Sequence, residues 1–333
     1  MTETHRVAFD FHGAGLVAEA PRGSWTAGMQ DSFRWYLVDE APEPVFRLTV
    51  HEDENPAVPP YIPLTWTGPL QERETGRMYE TDTLWALEVE NHGYLLIDHS
   101  ASTAELVMRR GSERAFTMTP IVAVLSAALH ARGQHIVHGA SLGCRDGDGA
   151  ILICAPSGFG KTTTSLALAR EGYRLFADDV SMIVSRTASA GPRIWGLPNW
   201  LRIHRKTLEM LPWLGPLPDT WNAEDEQAVA LHAMNGILPV GKTAPAPLRA
   251  VIIIGARAER HAVVPLARAE ALVRLAKDNV SNSAAGVTPW HRQQFAAYAE
   301  ALKSCPVFEL HAGTDLASLA DAVDAALRAT ARP

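Results

Sequence analysis

The sequence predicts an α/β protein in which a smaller β-rich domain precedes a phosphate-loop nucleotide-binding domain. Three observations carry this expectation. An apolar run, residues 150–154, leads into Ala155-Pro-Ser-Gly-Phe-Gly-Lys-Thr162, and a helix-like run follows from Thr163 to Arg170. A short return then ends in two adjacent acids, Asp178 and Asp179, 17 and 18 positions beyond Lys161. Residues 1–118 are rich in short segments, several of which alternate apolar with polar as half-buried strands do.

The chain has 333 residues, which at roughly 150 residues per domain suggests two domains. We place them at 1–118 and 119–333. The net charge of −7 gives no bulk footprint for nucleic acid or an anionic membrane. Only Cys144, Cys154 and Cys305 occur, too few and too odd in number for a disulfide framework, which fits a reducing cytoplasm. The N-terminus runs into alternating residues rather than an apolar stretch, so no signal peptide is expected, and no apolar run has the length of a membrane span. No internal repeat is visible. Self-association is left open.

In the first domain, strands are expected at 6–11, 33–38, 45–51, 84–90, 94–98 and 105–109. Asn91-His92-Gly93 supplies a turn, and the prolines of 54–63 dictate a loop. His12 and His51 read as ordinary surface or turn residues. Thr119-Pro120 opens an amphipathic helix over 121–131, closed by Gly133. A strand over 134–142 and a Gly/Asp turn at 146–149 lead to the apolar run before the loop. After the loop helix, Glu171-Gly172-Tyr173 stops it. Strands follow at 174–177 and 180–184, and a turn at 188–192 leads into 193–197. Beyond Pro198 the pattern reads as mostly helical, with a helix over 205–211 and then an acidic segment at 219–227. A Pro-rich loop at 239–247, a buried-type strand at 251–255, helices at 269–279 and 290–302, a strand at 307–311 and a helix at 316–329 complete the domain.

The loop at 155–162 carries the chemistry. Its glycines let several backbone N–H groups converge on one anion, and the lysine and the helix N-terminus add positive charge. Ser157, Gly158, Phe159, Gly160, Lys161, Thr162 and Thr163 are the candidate nucleotide contacts, and the Thr162 hydroxyl is placed to ligate Mg²⁺. Ala155 stands where the usual pattern has its first glycine. A second Gly-Lys-Thr, at 241–243, runs into Ala-Pro-Ala-Pro and cannot open a helix, so it reads as plain loop. Asp178 and Asp179 interrupt an apolar strand. In such a pair one acid can hold Mg²⁺ while the other takes a proton from an incoming hydroxyl. The return strand is expected to lie beside the strand that feeds the loop. His138 lies on a segment expected to pair with that same strand, where it could orient an acid.

In order and spacing, His138-Gly-Ala-Ser-Leu142, the loop, and Gly172-Tyr-Arg-Leu-Phe-Ala-Asp-Asp-Val180 resemble HPr kinase/phosphorylase and its related kinases, including those associated with lasso-peptide biosynthesis. The resemblance covers residues 135–184, with a looser likeness of layout beyond. It implies a fold like that of phosphoenolpyruvate carboxykinase and ATP-dependent phosphorylation of a serine on a peptide or protein. By the same resemblance Lys161 binds the β/γ-phosphates, Thr162 and Asp179 hold Mg²⁺, Asp178 is the catalytic base, and His138 partners the acids. The bifunctional enzyme's later glycine-rich segment is absent, so neither phosphorylase activity nor HPr as substrate is expected. A small-molecule kinase acting on an alcohol, of the shikimate-kinase layout, and a non-catalytic nucleotide sensor are the other readings. Arg202, His204, Arg205 and Lys206 form a basic cluster that could meet an acidic substrate, though a solvated helix start is the commoner origin of such a run.

Overall fold

The computed structural model describes residues 4–21, 24–70, 74–116, 118–185, 191–215, 217, 220–222, 224–234, 236–238, 240, 242–279 and 289–330. It is mixed α/β, with two large mixed sheets and, among the described residues, seven α-helices. None of those helices is long and apolar enough to cross a membrane. The chain divides into two units, Met1–Gln134 with Asn282–Gln293, and His135–Ser281 with Gln294–Pro333.

The first unit is built on one sheet. Its strands are β1 (Thr4–Phe11), β2 (Ala14–Pro21), β3 (Leu37–Val38), β4 (Val45–Glu52), β5 (Leu64–Pro69), β6 (Thr75–Glu80), β7 (Leu84–Val89), β8 (Gly93–Asp98) and β9 (Thr103–Met108). They lie in the order β3-β1-β2-β4-β9-β8-β7-β6-β5 and are antiparallel except at β2–β4 and β4–β9. Helices α1 (Ser24–Ser32) and α2 (Met118–His130) pack on this sheet. The sequence reading misses β2, β5, β6 and α1, and its strand over 33–38 shrinks to Leu37–Val38. The reason is aromatic. Phe33 and Tyr36 are spaced for a helical turn and sit 4.9–5.6 Å, ring to ring, from Phe9 or Phe11 in a fully buried cluster. Helix α2 buries Val124, Leu125 and Ala128 and packs against β2, β4 and β8. The division therefore falls after this helix, whereas the sequence reading sets the boundary before it.

The second unit holds β10 (Gln134–His138), β11 (Ala140–Gly143), β12 (Ala150–Cys154), β13 (Arg174–Ala177), β14 (Val180–Val184), β15 (Arg193–Gly196), β16 (Trp200–His204), β17 (Glu226–Ala230), β18 (Ala246–Arg257), β19 (Ala262–Pro265) and β20 (Val307–Ala312). Its helices are α3 (Lys161–Arg170), α4 (Arg205–Met210), α5 (Arg268–Asn279), α7 (Leu319–Thr330) and, from Gln294 on, α6 (Pro289–Ser304). The main sheet runs β10-β14-β15-β18-β12-β11-β13, with β20 also on β18 and β19 on β20. Parallel pairs β12–β18 and β18–β20 form its centre.

Period-two alternation builds a core on each face of this centre. Ile151, Ile153, Ala250, Ile252 and Ile254 share one core with α3 and α7 residues such as Leu166 and Val323. Ala150, Leu152, Cys154, Val251 and Ile253 share the other with Leu275 of α5 and Tyr298 of α6. Burial on both faces is why these strands read as unbroken apolar runs. Ala155 is also buried in the first core, its methyl group filling space that a glycine would leave.

Two expectations about this sheet change. The run over 134–142 is two strands, broken at Gly139, and only β11 pairs with β12. A Cβ at Gly139 would meet Leu152 Cδ1 at 2.7 Å, and Cys154 Sγ and the Ile153 carbonyl oxygen each at 3.0 Å, so a side chain has no room where the chain changes strand. Further, β13 pairs with β11, not with β12. The sheet curls so that β14 and β15 face β11 and β13. Phe176 thereby shares a core with Val137, Ile183 and Ile194. Gly139→Ala is expected to cost about 1–3 kcal/mol by overpacking. Urea denaturation measures it, and an unchanged midpoint would show that the break at Gly139 can relax.

The stretch after Pro198 has the helix expected over 205–211, as α4 (Arg205–Met210), but is otherwise not mainly helical. It forms the two-stranded β16–β17 sheet and the short α4. The acidic segment expected at 219–227 lies partly outside the described residues. So do the turn at 188–190 and residues 239 and 241 of the Pro-rich loop. Lys242 and Thr243 lie in irregular chain before β18, with no helix after them.

Candidate active site

Strand β12 delivers the chain to the loop, and α3 carries it away. Gly158 and Gly160 take φ values of +78° and +95°, which a side chain would resist, and Gly160 precedes the first helical residue. A Cβ at either glycine would meet nothing within 4 Å, so it is backbone shape and not crowding that needs them. Among the described residues, the N–H groups of Gly158, Gly160, Lys161, Thr162 and Thr163 have no protein acceptor. They form a set of donors at a helix N-terminus, suited to phosphate oxygens. Ser157 and Phe159 are exposed on the loop.

Beside the loop, two strand corners are stitched together. One is Gly139, between β10 and β11. The other is Asp178-Asp179, between β13 and β14. The Gly139 N–H donates to the Asp179 carbonyl at 2.9 Å. Ser181 Oγ lies 2.8 Å from both the Gly139 carbonyl and Ser141 Oγ, and both serines are fully buried. These bonds fix His138 and the acid pair relative to each other before any side chain of the site is counted.

The two acids then part company, because adjacent residues at a strand end point opposite ways. Asp178 turns in under α3 and is 3% exposed. Thr162 Oγ1 donates to its Oδ2 at 2.7 Å, and Ser165 Oγ lies 2.7 Å from its Oδ1. Burial raises its pKa, outweighing the two hydroxyls and the nearby Lys161 charge that lower it. Asp179 turns out, its side chain 39% exposed. Its Oδ1 takes both an ion pair from Lys161 Nζ and a 2.7 Å hydrogen bond from His138 Nε2. Burial pushes this carboxyl up, but the His138 hydrogen bond and the Lys161 charge outweigh it and hold the group well below the usual carboxylate range.

All the sequence-derived loop residues and both acids are thus gathered at one end of β12 and β13. His138 meets Asp179, one of the two acids that the resemblance has it partner, and not the one given there as the base. Thr162 meets Asp178, whereas the same expectation shares its metal with Asp179. Thr163 is 8% exposed, and its hydroxyl bonds that of Thr207 on α4 at 3.0 Å. The donor set of Thr162 and the two acids is hard oxygen throughout, which suits Mg²⁺ with water completing its shell. Among the described residues no group of three or more His, Cys, Asp or Glu is arranged to hold a metal ion.

Sequence reasoning misses Ser165, Ser181 and Asn279. Ser165 lies three positions after Thr162, so its place on the same helix face was available from spacing. Asn279, at the end of α5, carries no signal. The basic cluster is met by acids on and just before the strand that pairs with β16. Arg202 and His204 approach Glu226 at 3.4 and 3.5 Å, and Arg205 pairs with Asp225 at 3.2 Å and covers the Trp221 ring. These exposed pairs add little stability, yet they explain why basic and acidic runs occur on facing strands.

No family model matches the chain, and no curated protein matches it.

Proposed function

We propose that this chain is an ATP- and Mg²⁺-dependent kinase that transfers the γ-phosphoryl group to a hydroxyl, the acceptor being a serine of a peptide or protein. The second unit would then be a phosphate-loop kinase domain of the HPr kinase and phosphoenolpyruvate carboxykinase kind, working in the cytoplasm. One observation carries the reading. The loop's lysine and its threonine hydroxyl are each bonded to one of two adjacent aspartates, and those aspartates differ sharply in environment. Groups that neutralise one another without nucleotide are the groups that phosphoryl transfer needs around the phosphates.

The role of each residue follows from its surroundings. Backbone donors from Ser157 to Thr163 cradle the phosphates. Lys161 leaves Asp179 for the β/γ-phosphates. Thr162 and Asp178 hold Mg²⁺, since they already share a hydrogen bond and the buried Asp178 is out of reach of an incoming acceptor. When bound between Thr162 and Asp178, Mg²⁺ would supply positive charge against the phosphate oxygens. Asp179, the more exposed acid, receives the acceptor proton, with His138 fixing its orientation. This reverses the two aspartate roles implied by the resemblance. Loss of the Lys161 contact removes one of the influences that depress Asp179, so the carboxylate becomes a better proton acceptor as nucleotide arrives. The acceptor oxygen bonds to the γ-phosphorus, the bond from that phosphorus to the β,γ-bridging oxygen breaks, and ADP leaves.

Mass spectrometry of candidate peptides and metabolites, after incubation with γ-labelled ATP and Mg²⁺, tests the proposal. A labelled peptide serine supports it. Label only on a small alcohol moves the chain to small-molecule kinases. Nucleotide binding with no transfer to any acceptor makes it a sensor.

A further inference from the structure

We propose that Asn279 is a positioning residue of this site, holding His138 against Asp179 from a helix that begins 130 positions further along the chain. The inference rests on the kinase reading for its functional consequence, though not for its geometry. Asn279 is the last residue of α5, and its Oδ1 accepts the backbone N–H of His138 at 2.5 Å. Its Nδ2 donates to the Leu275 carbonyl at 2.9 Å. Both partners are main-chain groups of fixed polarity, a donor and an acceptor. The orientation of the amide is therefore set by chemistry, and only a residue with one acceptor and one donor at this spacing satisfies both.

The consequence lies in the corner. His138 N–H is held by Asn279 and the next N–H, that of Gly139, by the Asp179 carbonyl. Two successive peptide groups are thus pinned from opposite sides. They fix the main chain from which the imidazole reaches Asp179 Oδ1. Helix α5 is itself anchored, since Ala271 and Leu275 are buried in the core that contains Val137, the neighbour of His138. A rigid helix thereby supports a site otherwise built on strand corners and a loop, the kind of supporting contact that precise positioning requires.

The test uses the full chain with Asn279→Leu, close in size but apolar, and Asn279→Asp, which keeps the acceptor. The His138 imidazole is followed by NMR, its signals identified by their loss in His138→Gln. Turnover of MgATP is followed as phosphate release with water as acceptor. Asn279→Leu should shift the imidazole signals and lower kcat by about 10–100-fold, the range for lost supporting contacts, while the KM for ATP holds. Asn279→Asp should return the signals and most of the turnover. If Asn279→Leu fails to fold, Asn279→Ser, whose hydroxyl falls short of His138, gives the same comparison. Unshifted His138 signals, or a loss confined to KM, would overturn the inference. Signals that shift in Asn279→Leu and return in Asn279→Asp, in a protein whose wild type binds no ATP, would support the positioning and sink the kinase reading instead.

Discussion

Asp178→Asn is expected to lower Mg²⁺-dependent turnover by about 10²-fold or more while making the metal-free protein more stable. The two effects have one origin. Asp178 is 3% exposed, and burial lifts its pKa above that of an unfolded aspartate despite the Thr162 and Ser165 hydroxyls. A carboxyl with a raised folded pKa favours the fold while protonated, and that contribution is lost as pH rises through the folded value. At neutral pH the metal-free carboxyl, which the unfolded chain ionises more readily than the fold does, therefore works against folding, and the uncharged amide removes the conflict. The amide also fits. Its oxygen accepts from Thr162, and Ser165 can donate instead to the Thr162 carbonyl, which already lies 3.0 Å away. Urea denaturation at neutral pH should show a gain of about 0.5–2 kcal/mol, typical of relieved strain at a functional site. The gain should shrink as pH falls into the range where an unfolded aspartate is also protonated. Turnover equal to wild type would remove Asp178 from the metal site.

Asp179→Asn should separate nucleotide affinity from turnover. Asp179 now occupies Lys161, so phosphate must compete with a carboxylate for that ammonium group. Removing the charge frees the lysine. ADP binding in EDTA should tighten by about 5-fold, the scale of a partly exposed ion pair. Phosphoryl transfer should fall by about 10²–10⁴-fold, the contribution of a general base. Calorimetric titration with ADP in EDTA, set beside MgATP turnover, reads both. Weaker ADP binding would mean that Asp179 does not restrain Lys161, and undiminished transfer would return the base role to Asp178.

Much of the site was legible because its signals are local. The loop, the helix after it and the strand before it are contiguous, and an acid pair breaking an apolar strand stands out as a conflict that a partner must resolve. The pairing within the site was not legible. Whether Asp178 or Asp179 turns inward depends on the phase of a four-residue strand, β13, three of whose residues are buried, so no alternation marks the phase. The break at Gly139 was hidden because a glycine in an apolar run reads equally as strand. That β11 intervenes between β12 and β13 follows from the curl of the whole sheet, which no local pattern encodes. In the first unit, α1 escaped notice because Ser24–Ser32 has little amphipathic pattern, and Phe33 and Tyr36 were read with period two when their packing follows a helical turn.

The bonds that join the two strand corners are those of the main chain and of buried serines. His138, Asp178 and Asp179 supply reactivity to a frame that does not depend on their side chains. Each can be silenced while the surface facing the acceptor keeps its contour. On the kinase reading, a slowed Asp179→Asn chain loaded with MgATP becomes bait. It should retain its hydroxyl-bearing partner long enough to be identified, because the step that would let the partner go as product has been slowed.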